Sequence, residues 1–318
     1  MMKKPPNRDV EPTGSTAPAA GGWFYPRFSC QADLGLFRLG GSGLGNHLYI
    51  WAKALVLARR HGGANVFPTW PQLKLGPIIR REPDPRHYMG LFHPSEGDVA
   101  GLRKMAVLAT APRTALARVG DLQHAGRRLY IVTDEAFADQ FEELLDHREF
   151  VRDAFARRSV RLPDRLEAPF IGVHVRFGDF VAPAPGETSG AVNHRLPLEW
   201  YTDRLQVIRR AVGAEVPAMI FSDASEAELA PLLAQPNVVM RKGGTALDDI
   251  WKLSQAAAIV ASGSTFSYWA GYLGDGLVVS RSGAWRTTFD LQPREWICGP
   301  SDQVMPTGLI PTLRRHGL

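Results

Sequence analysis

The chain has 318 residues, 45% of them hydrophobic and 22% charged, which is ordinary for a soluble globular protein and long enough for two domains. Its net charge of +5 would attract an anionic ligand such as a diphosphate nucleotide, or an anionic membrane surface. Nucleic acid is excluded as a partner, because Lys and Arg are scattered and no zinc finger, ribonucleoprotein motif or long basic run occurs.

The first residues predict a leader that does not fold. Residues 1–32 combine Pro, Gly, Ser, Thr and Ala with little periodicity, and we expect them to be disordered. The leader lacks the apolar core of a signal peptide, and no segment of the chain approaches the roughly 20 apolar residues that cross a bilayer. Cys30 and Cys298 form neither a disulfide framework nor a metal-ligand spacing, so they indicate free thiols in a reducing compartment.

A glycine-rich turn follows the leader and runs into a helix predicted from Gly45 to His61. Gly43 and Gly45 would let the backbone approach an anion, and the helix start offers unpaired N–H groups and the positive end of a dipole. Neither G-x-G-x-x-G with its acidic partner nor G-x-x-x-x-G-K-[ST] occurs. A tight turn without a ligand is the alternative.

Residues 33–165 are predicted to form a first α/β domain. After the glycine turn comes an irregular stretch, Pro71 to Pro94, which could form the wall of an acceptor site. A helix predicted from Arg148 to Val160 ends this domain.

Residues 166–318 are predicted to form a second α/β domain, in which short aliphatic strands alternate with helices. This alternation is typical of a parallel, doubly wound sheet. The predicted strands are 170–175, 218–221, 238–240, 259–261 and 277–279, and the predicted helices are 197–212, 226–234, 246–257 and 265–273. The last basic cluster, Arg314-Arg315-His316, could touch anionic lipid, and a solvated tail is the alternative.

The strand 170–175 ends in polar residues that a buried strand does not need. It carries His174 and continues into Arg176 and Asp179. Ligands of open α/β sheets bind beyond the carboxyl ends of the strands, so Arg176 is placed where a guanidinium could bind a phosphate. The alternatives are a local ion pair between Arg176 and Asp179, and a buried, hydrogen-bonded role for His174.

Two later strand ends add candidates for the same site. The strand 259–261 leads to Ser264, Thr265 and Phe266, whose hydroxyl and N–H groups at a helix start could hold a second phosphate, with simple helix capping as the alternative. The strand 218–221 leads to Asp223, which could accept hydrogen bonds from guanine N1 and N2; a helix N-cap at Asp223 or Ser225 is the alternative. Asp248 and Asp249 open a helix, where carboxylates are favoured in any case.

Four of these segments together resemble the α-1,2-fucosyltransferases, a family of GDP-fucose-dependent enzymes. They are Gly41 to Leu48, His174 to Asp179, Phe221 to Asp223, and Ser262 to Leu273, and they occur in the family's order. Tyr88 to His93 weakly resembles an aromatic segment that the family places between the first two. The resemblance implies two facing Rossmann-like domains, the GT-B arrangement, with the site in the cleft between them.

The resemblance also implies a function. We expect transfer of L-fucose from GDP-fucose to a galactose hydroxyl of a glycan, as an α-1,2 linkage, by an inverting displacement that needs no metal or other cofactor. Arg176 would hold the diphosphate, Asn46 would reach the sugar or its phosphate, and His174 would line the nucleotide pocket. Animal members carry a membrane anchor, so the chain without one is expected to be a bacterial, cytoplasmic enzyme that acts in polysaccharide biosynthesis.

Departures from the family pattern leave alternatives open. Phe177 stands where the family usually has a second arginine, Phe180 where it has a tyrosine, and His47 where it has a glutamine. A transferase for another GDP-sugar is therefore one alternative, and an inactive nucleotide- or glycan-binding protein is another. The general base is undecided among Asp179, Glu187, His194 and His93.

Overall fold

The fold is described from a computed structural model of the chain. The described residues are 21–28, 30–74, 79, 86–116, 122, 126–133, 141–166, 168–178, 180–181, 194–282 and 294–318. Among them, no helix has both the length and the apolar character required to span a membrane.

The first domain contains a parallel four-stranded sheet. Its strands are β1 (Trp23–Pro26), β4 (Ala64–Asn65), β6 (Arg113–Leu116) and β7 (Leu129–Val132), in the order β4-β1-β7-β6. A small second sheet, in the order β2-β3-β5, is formed by β2 (Ala32–Asp33), β3 (Arg38–Leu39) and β5 (Gln72–Leu73).

Three α-helices of the first domain are described. They are α1 (Leu44–Arg60), α2 (Gly101–Thr110) and α3 (Arg148–Arg158), with a 3-10 helix, Glu142–His147, directly before α3. Fourteen of the 17 residues of α1 are buried, so this helix is covered on nearly every side. A helix that is buried on nearly every face belongs to a core. The helix α1 accordingly lies between the two domains, in contact with residues of both.

The second domain is a parallel six-stranded sheet with helices on both faces. Its strands are β8 (Ile171–Val175), β9 (Ala218–Ser222), β10 (Val238–Met240), β11 (Ala258–Val260), β12 (Leu277–Arg281) and β13 (Glu295–Cys298). Its helices are α4 (Leu198–Val212), α5 (Ala230–Leu233), α6 (Ala246–Leu253), α7 (Thr265–Leu273) and α8 (Ile310–Arg315), and a 3-10 turn, Thr307–Leu309, precedes α8.

The order of these six strands identifies where a ligand would bind. The sheet runs β10-β9-β8-β11-β12-β13, which is the Rossmann order 3-2-1-4-5-6 when the strands are counted along the chain. The order reverses between β8 and β11, which are hydrogen-bonded neighbours with Val173 opposite Val260. Crevices at such a switch point are the binding sites of open α/β sheets.

The two domains share an apolar core. Residues of α1 and α3 from the first domain pack with Tyr268, Trp269 and Tyr272 of α7 from the second. Tyr49 of α1 lies 5.0 Å from Trp269, ring centre to ring centre. The phenol of Tyr272 donates a hydrogen bond of 2.6 Å to the carbonyl of Leu144.

The predicted α/β fold with two parallel-sheet domains is confirmed, and the strands and helices predicted for residues 170–279 are present with shifted ends. The helix predicted for 246–257 ends at Leu253, and the one predicted for 226–234 is reduced to the four residues of α5. The strand β13 was not predicted. The basic end of the chain is not a solvated tail, because Arg314 and Arg315 belong to α8 and the ring of His316 bonds to the carbonyl of Asp275 at 2.8 Å.

The predicted leader boundary at residue 32 is wrong. The strand β1 lies inside the first sheet, paired with both β4 and β7, and Phe24 is fully buried. The run Trp23-Phe24-Tyr25 is too short to show periodicity, but its three aromatic side chains are favoured in strands. The first domain therefore begins before residue 23, and residues 1–20 lie outside the described part of the chain.

We expect Phe24→Ala to lower the free energy of unfolding by about 3–5 kcal/mol, because the substitution leaves a cavity beside the stacked ring of Tyr130. Phe37→Ala is the matched control, since that ring is 38% exposed and its loss should cost less than about 1 kcal/mol. Urea unfolding of both variants measures the difference. Equal costs would show that β1 is not part of the core.

Candidate active site

The candidate site lies at the carboxyl edge of the second sheet, where β8 and β11 end side by side. The turn after β8 carries Arg176, and the segment after β11 carries Ser262 and Ser264. The strands are in register from Ile171 opposite Ala258, so these polar residues emerge next to one another. Sequence and sheet topology agree on this position.

Arg176 is held by an ion pair with Asp223. Its Nη1 lies 2.6 Å from Oδ2 of Asp223, and the other carboxylate oxygen accepts the backbone N–H of Phe177 at 2.8 Å. Both side chains are about three-quarters buried, which strengthens the attraction relative to a fully exposed pair. The structure thus gives Arg176 an ion pair with Asp223. The pair with Asp179 that the sequence offered as an alternative stays a prediction, because Asp179 lies outside the described residues.

The position of Asp223 gives it a role that the sequence did not suggest. Its carboxylate orients the guanidinium of Arg176 and fixes the backbone of the turn after β8. Gly178 of that turn leaves room for the carboxylate, because a Cβ at this position would overlap it. The predicted contact between Asp223 and guanine stays a prediction. The N-cap alternative does not apply to Asp223, because Ser225 makes the reciprocal bonds with Glu228.

His174 connects the two strand ends beneath Arg176. Its Nδ1 lies 2.9 Å from the hydroxyl of Ser262 and 2.8 Å from that of Ser267, and its ring stacks on Phe266 at 4.8 Å. Burial, together with the nearby charge of Arg176, lowers the pKa of His174 to about 3, so the ring is neutral at physiological pH. This is the buried, hydrogen-bonded histidine that the sequence allowed as an alternative. Its contact with a nucleotide stays a prediction.

The helix start predicted at residues 264–266 is present as the first turn of α7. Ser264 is the N-cap, and its hydroxyl accepts the N–H of Phe266 at 3.3 Å. Helix capping, the alternative for Ser264, is therefore observed, and the N–H of Phe266 donates within the protein. No acidic residue stands in the first turn of α7, so its positive dipole end is not neutralised within that turn.

The glycine turn lies directly against this helix start. A Cβ on Gly45 would meet the Oγ1, Cβ and backbone carbon of Thr265 at 2.5–3.0 Å, so only glycine allows this approach. The indole of Trp269 donates a 2.7 Å hydrogen bond to the carbonyl of Gly45. The first turns of α1 and α7 are therefore in contact, and neither contains an acidic residue.

Buried polar side chains shape the glycine turn. The guanidinium of Arg38 lies 3.0 Å from Nδ1 of His47, and the hydroxyl of Ser42 lies 3.0 Å from Nε2. Nε2 also lies 3.3 Å from Nη1 of Arg38, so the guanidinium contacts both nitrogens of the ring. His47, a departure from the family pattern, thus ties the turn to β3.

Asn46 follows Gly45 in the first turn of α1. Its backbone N–H donates to the carbonyl of Gly43 at 3.1 Å, and its side-chain Oδ1 is buried with no hydrogen-bond partner in the described structure. A buried polar atom without a partner is costly, so this oxygen is suited to bind a ligand hydroxyl or water. Its predicted contact with the sugar or its phosphate stays a prediction.

The structure brings most of the predicted site residues to one place. The described ones occupy the β8 turn, the β9 end, the start of α7 and the start of α1: Asn46, Gly43, Gly45, His174, Arg176, Asp223, Ser264, Thr265 and Phe266. Asp248 caps α6 in a reciprocal box with Thr245, which is the structural role expected of it. Glu187, like Asp179, falls outside the described residues.

Two contacts at the site were not predicted. The phenol of Tyr88 accepts the N–H of Leu44 at 2.9 Å, so the irregular middle stretch closes over the start of α1. Arg195 donates from Nε to the carbonyls of Phe177 and Phe180, at 3.1 and 2.8 Å, and so fastens the turn after β8. The weak aromatic resemblance at Tyr88 was the only signal for the first contact, and nothing in the sequence indicated the second.

The site offers cations and helix starts and lacks a metal-binding cluster. No group of three or more His, Cys, Asp or Glu side chains in the described ranges could hold a metal ion. Arg176 and the positive dipole ends of the two helix starts could instead attract an anion.

Comparison with known proteins gives one family match. Residues 135–282 match the model of glycosyl transferase family 11. This range includes β8, β9, β11 and α7, and therefore the second-domain half of the site. No curated protein matches the chain.

Solved structures similar to this chain are distant. One is NodZ, an α-1,6-fucosyltransferase soaked with GDP-fucose: it is 16% identical, covers 80% of this chain and 93% of its own, and has a TM-score of 0.45. POFUT1 in complex with GDP is 13% identical, with 82% and 96% covered and a TM-score of 0.42. A mutant of Arabidopsis thaliana FUT1 in complex with GDP is 12% identical, with 92% and 74% covered and a TM-score of 0.45.

We expect Gly45→Ala to separate the first turns of α1 and α7, because the added methyl group would overlap Thr265. The free energy of unfolding should fall by about 1–3 kcal/mol, the usual cost of overpacking. Gly43→Ala is the matched control, since a Cβ there meets nothing within 4 Å and φ is −74°. Thermal and urea unfolding measure both variants. A Gly45→Ala protein as stable as the control would contradict the close approach.

Proposed function

Because residues 135–282 match the model of glycosyl transferase family 11, we propose that the protein is a fucosyltransferase that moves L-fucose from GDP-fucose to a galactose hydroxyl of a glycan. The proposed product has an α-1,2 linkage, formed by a metal-independent inverting displacement. Support for the donor comes from the family match and from the cationic site at the switch point of the second sheet.

One observation carries the proposal: Arg176 stands beside two helix starts that touch each other. Cleavage of a sugar–diphosphate bond places negative charge on the departing diphosphate. A guanidinium and two positive helix ends, fixed before the reaction, can stabilise that charge where other transferases use a metal ion. Asp223 and His174 keep Arg176 and the strand ends in position without adding a mobile charge.

The proposed reaction balances as a single displacement. The acceptor hydroxyl oxygen forms a bond to C1 of fucose on the face opposite the diphosphate. The C1–O bond to the β-phosphate breaks, and its electron pair leaves with GDP, next to Arg176. The hydroxyl proton passes to a general base, and inversion of the β-linked donor gives the α product.

His194 is the candidate base that the described structure places nearest to this turn. It pairs with Val181, and the next residue, Arg195, bonds to the carbonyls of the turn after β8. Its Nδ1 is buried and has no partner in the part of the chain that the structure describes. His93 is exposed, and its ring bonds to the carbonyl of Pro94. We therefore favour His194 over His93.

We also propose specific contacts for the base and the sugar, an acceptor and a cellular setting. Asp223 would accept hydrogen bonds from guanine N1 and N2, Arg176 would bind the diphosphate, and Asn46 would contact the sugar or its phosphate. A glycan with a terminal galactose is the proposed acceptor, in a bacterial cytoplasm and in polysaccharide biosynthesis. The net charge of +5 supports peripheral contact with an anionic membrane.

Phe177 favours one competing function, transfer from another GDP-sugar, because the usual second arginine is absent from that position. A purified-protein assay that measures released GDP separates the candidates. We expect turnover with GDP-fucose to exceed that with GDP-mannose at least about tenfold on a galactoside acceptor, and EDTA to leave it unchanged. Higher turnover with GDP-mannose than with GDP-fucose would show that GDP-fucose is not the preferred donor. GDP binding with no turnover over a broad acceptor panel would favour an inactive binding protein.

We expect Arg176→Ala to lower kcat at least about a hundredfold, the usual scale for one lost transition-state donor. Arg157→Ala is the matched control, because that guanidinium is 61% exposed on α3 and its substitution should leave kcat unchanged. Steady-state kinetics with GDP-fucose measure both, with circular dichroism as a check on folding. Near-normal kcat in folded Arg176→Ala would remove this side chain from the mechanism.

A further inference from the structure

The turn after β8 offers one arginine to a ligand, although a diphosphate carries more than one negative charge. Phe177 follows Arg176, and its ring is buried, with 9% of its surface exposed. The guanidinium of Arg195 covers that ring, with its Cζ 4.7 Å from the ring centre, while its Nε bonds to the turn. Position 177 therefore cannot present a charge to the ligand.

A second arginine reaches the same turn from the first domain. Nη2 of Arg86 lies 3.8 Å from the point where a Cβ on Gly178 would stand, and the carboxylate of Asp223 borders the same point. Arg86 is buried, with 8% of its surface exposed. The guanidinium groups of Arg86 and Arg176 thus both lie near the carboxylate of Asp223.

The backbone holds Arg86 in this place. Arg86 and Tyr88 both have left-handed φ angles, 55° and 53°, which non-glycine residues adopt at a cost in free energy. Two hydrogen bonds from Gln72 fix this conformation. Its Nε2 donates to the carbonyl of Arg86 at 2.6 Å, and its backbone N–H donates to the carbonyl of His87 at 2.9 Å. Such strain is often found where a side chain must point to a functional site.

The segment 86–88 also joins the two anion-binding parts of the site. At one end Arg86 reaches the turn after β8, and at the other the phenol of Tyr88 bonds to the N–H of Leu44 at the start of α1. A cation fixed at Arg86 is therefore placed between Arg176 and the glycine turn. A diphosphate bound by those two elements would lie within its reach.

We propose that Arg86 is the second cationic side chain of the diphosphate site, supplied by the first domain in place of the arginine that Phe177 replaces. The proposal rests on the proposed function, since it assumes that a nucleoside diphosphate binds at Arg176. Arg86 contacts the diphosphate across the interdomain cleft, so donor binding also holds the two domains together.

Arg86→Gly tests this role, because glycine accepts the left-handed φ without strain while the guanidinium is lost. Calorimetry with GDP and with guanosine is the measurement. We expect GDP affinity to fall about 10- to 100-fold, the scale of one charge-assisted hydrogen bond, and guanosine affinity to change less than about twofold. Arg86→Lys keeps the charge and should retain most of the GDP affinity.

The control is Asn237→Gly, which introduces glycine at another left-handed residue, φ 52°, outside the site and should leave GDP affinity unchanged. If Arg86→Gly does not fold, Arg86→Gln decides by the same comparison of GDP with guanosine. Unchanged GDP affinity in the folded neutral variant, or equal losses for GDP and guanosine, would overturn the role of Arg86. If wild-type protein fails to bind GDP while it remains folded, the proposed function itself is wrong.

Discussion

The close contact between the first turns of α1 and α7 is the constraint on which the candidate site depends. It exists because position 45 has no side chain and because Trp269 bonds to the carbonyl there. Two positive helix ends in contact would repel each other, and no acidic residue in either first turn relieves that repulsion. The shared apolar core behind them, with Tyr49 and Trp269, holds the two helices together. Their positive dipole ends can then attract an anion.

The polar side chains around this contact are held in fixed positions and fixed charge states by their neighbours. His174 is neutral because it is buried, and the hydroxyls of Ser262 and Ser267 satisfy its Nδ1. Arg176 is paired with Asp223, which fixes the direction of the guanidinium without removing its capacity for further hydrogen bonds, since an arginine has five donors. A site of this kind is preorganised, and preorganised dipoles and charges stabilise a developing charge without rearranging during the reaction.

The sequence predicted the second domain well because its signals are local. Aliphatic strands of three to five residues alternate with amphipathic helices, and the polar residues that end them, Arg176, Asp223 and Ser264, stand at one sheet edge for topological reasons. The first domain was harder. Its strand β1 is an aromatic run of three residues before Pro26, and β4 has two residues, so neither has a length at which alternation can be recognised.

Partners that are distant along the chain could not be predicted. Asp223 lies 46 residues from Phe177 and Tyr88 lies 44 residues from Leu44, and both contacts depend on the folded arrangement of elements. The sequence therefore offered Asp179, three residues away, as the possible ion-pair partner of Arg176 and gave no sign of Asp223. A partner on the neighbouring strand end is recognised only once the order of the strands is known.

Phe177 gives the turn after β8 an apolar anchor in place of a charged side chain. A buried phenylalanine at this position packs in the second core, and Arg195 on its outer face makes two bonds to the turn. Arg86 approaches Gly178 from the opposite domain, so its distance from the turn depends on how the domains meet. With the proposed contact of Arg86, a cation from each domain would bind the diphosphate, and donor binding and interdomain geometry would form a single equilibrium.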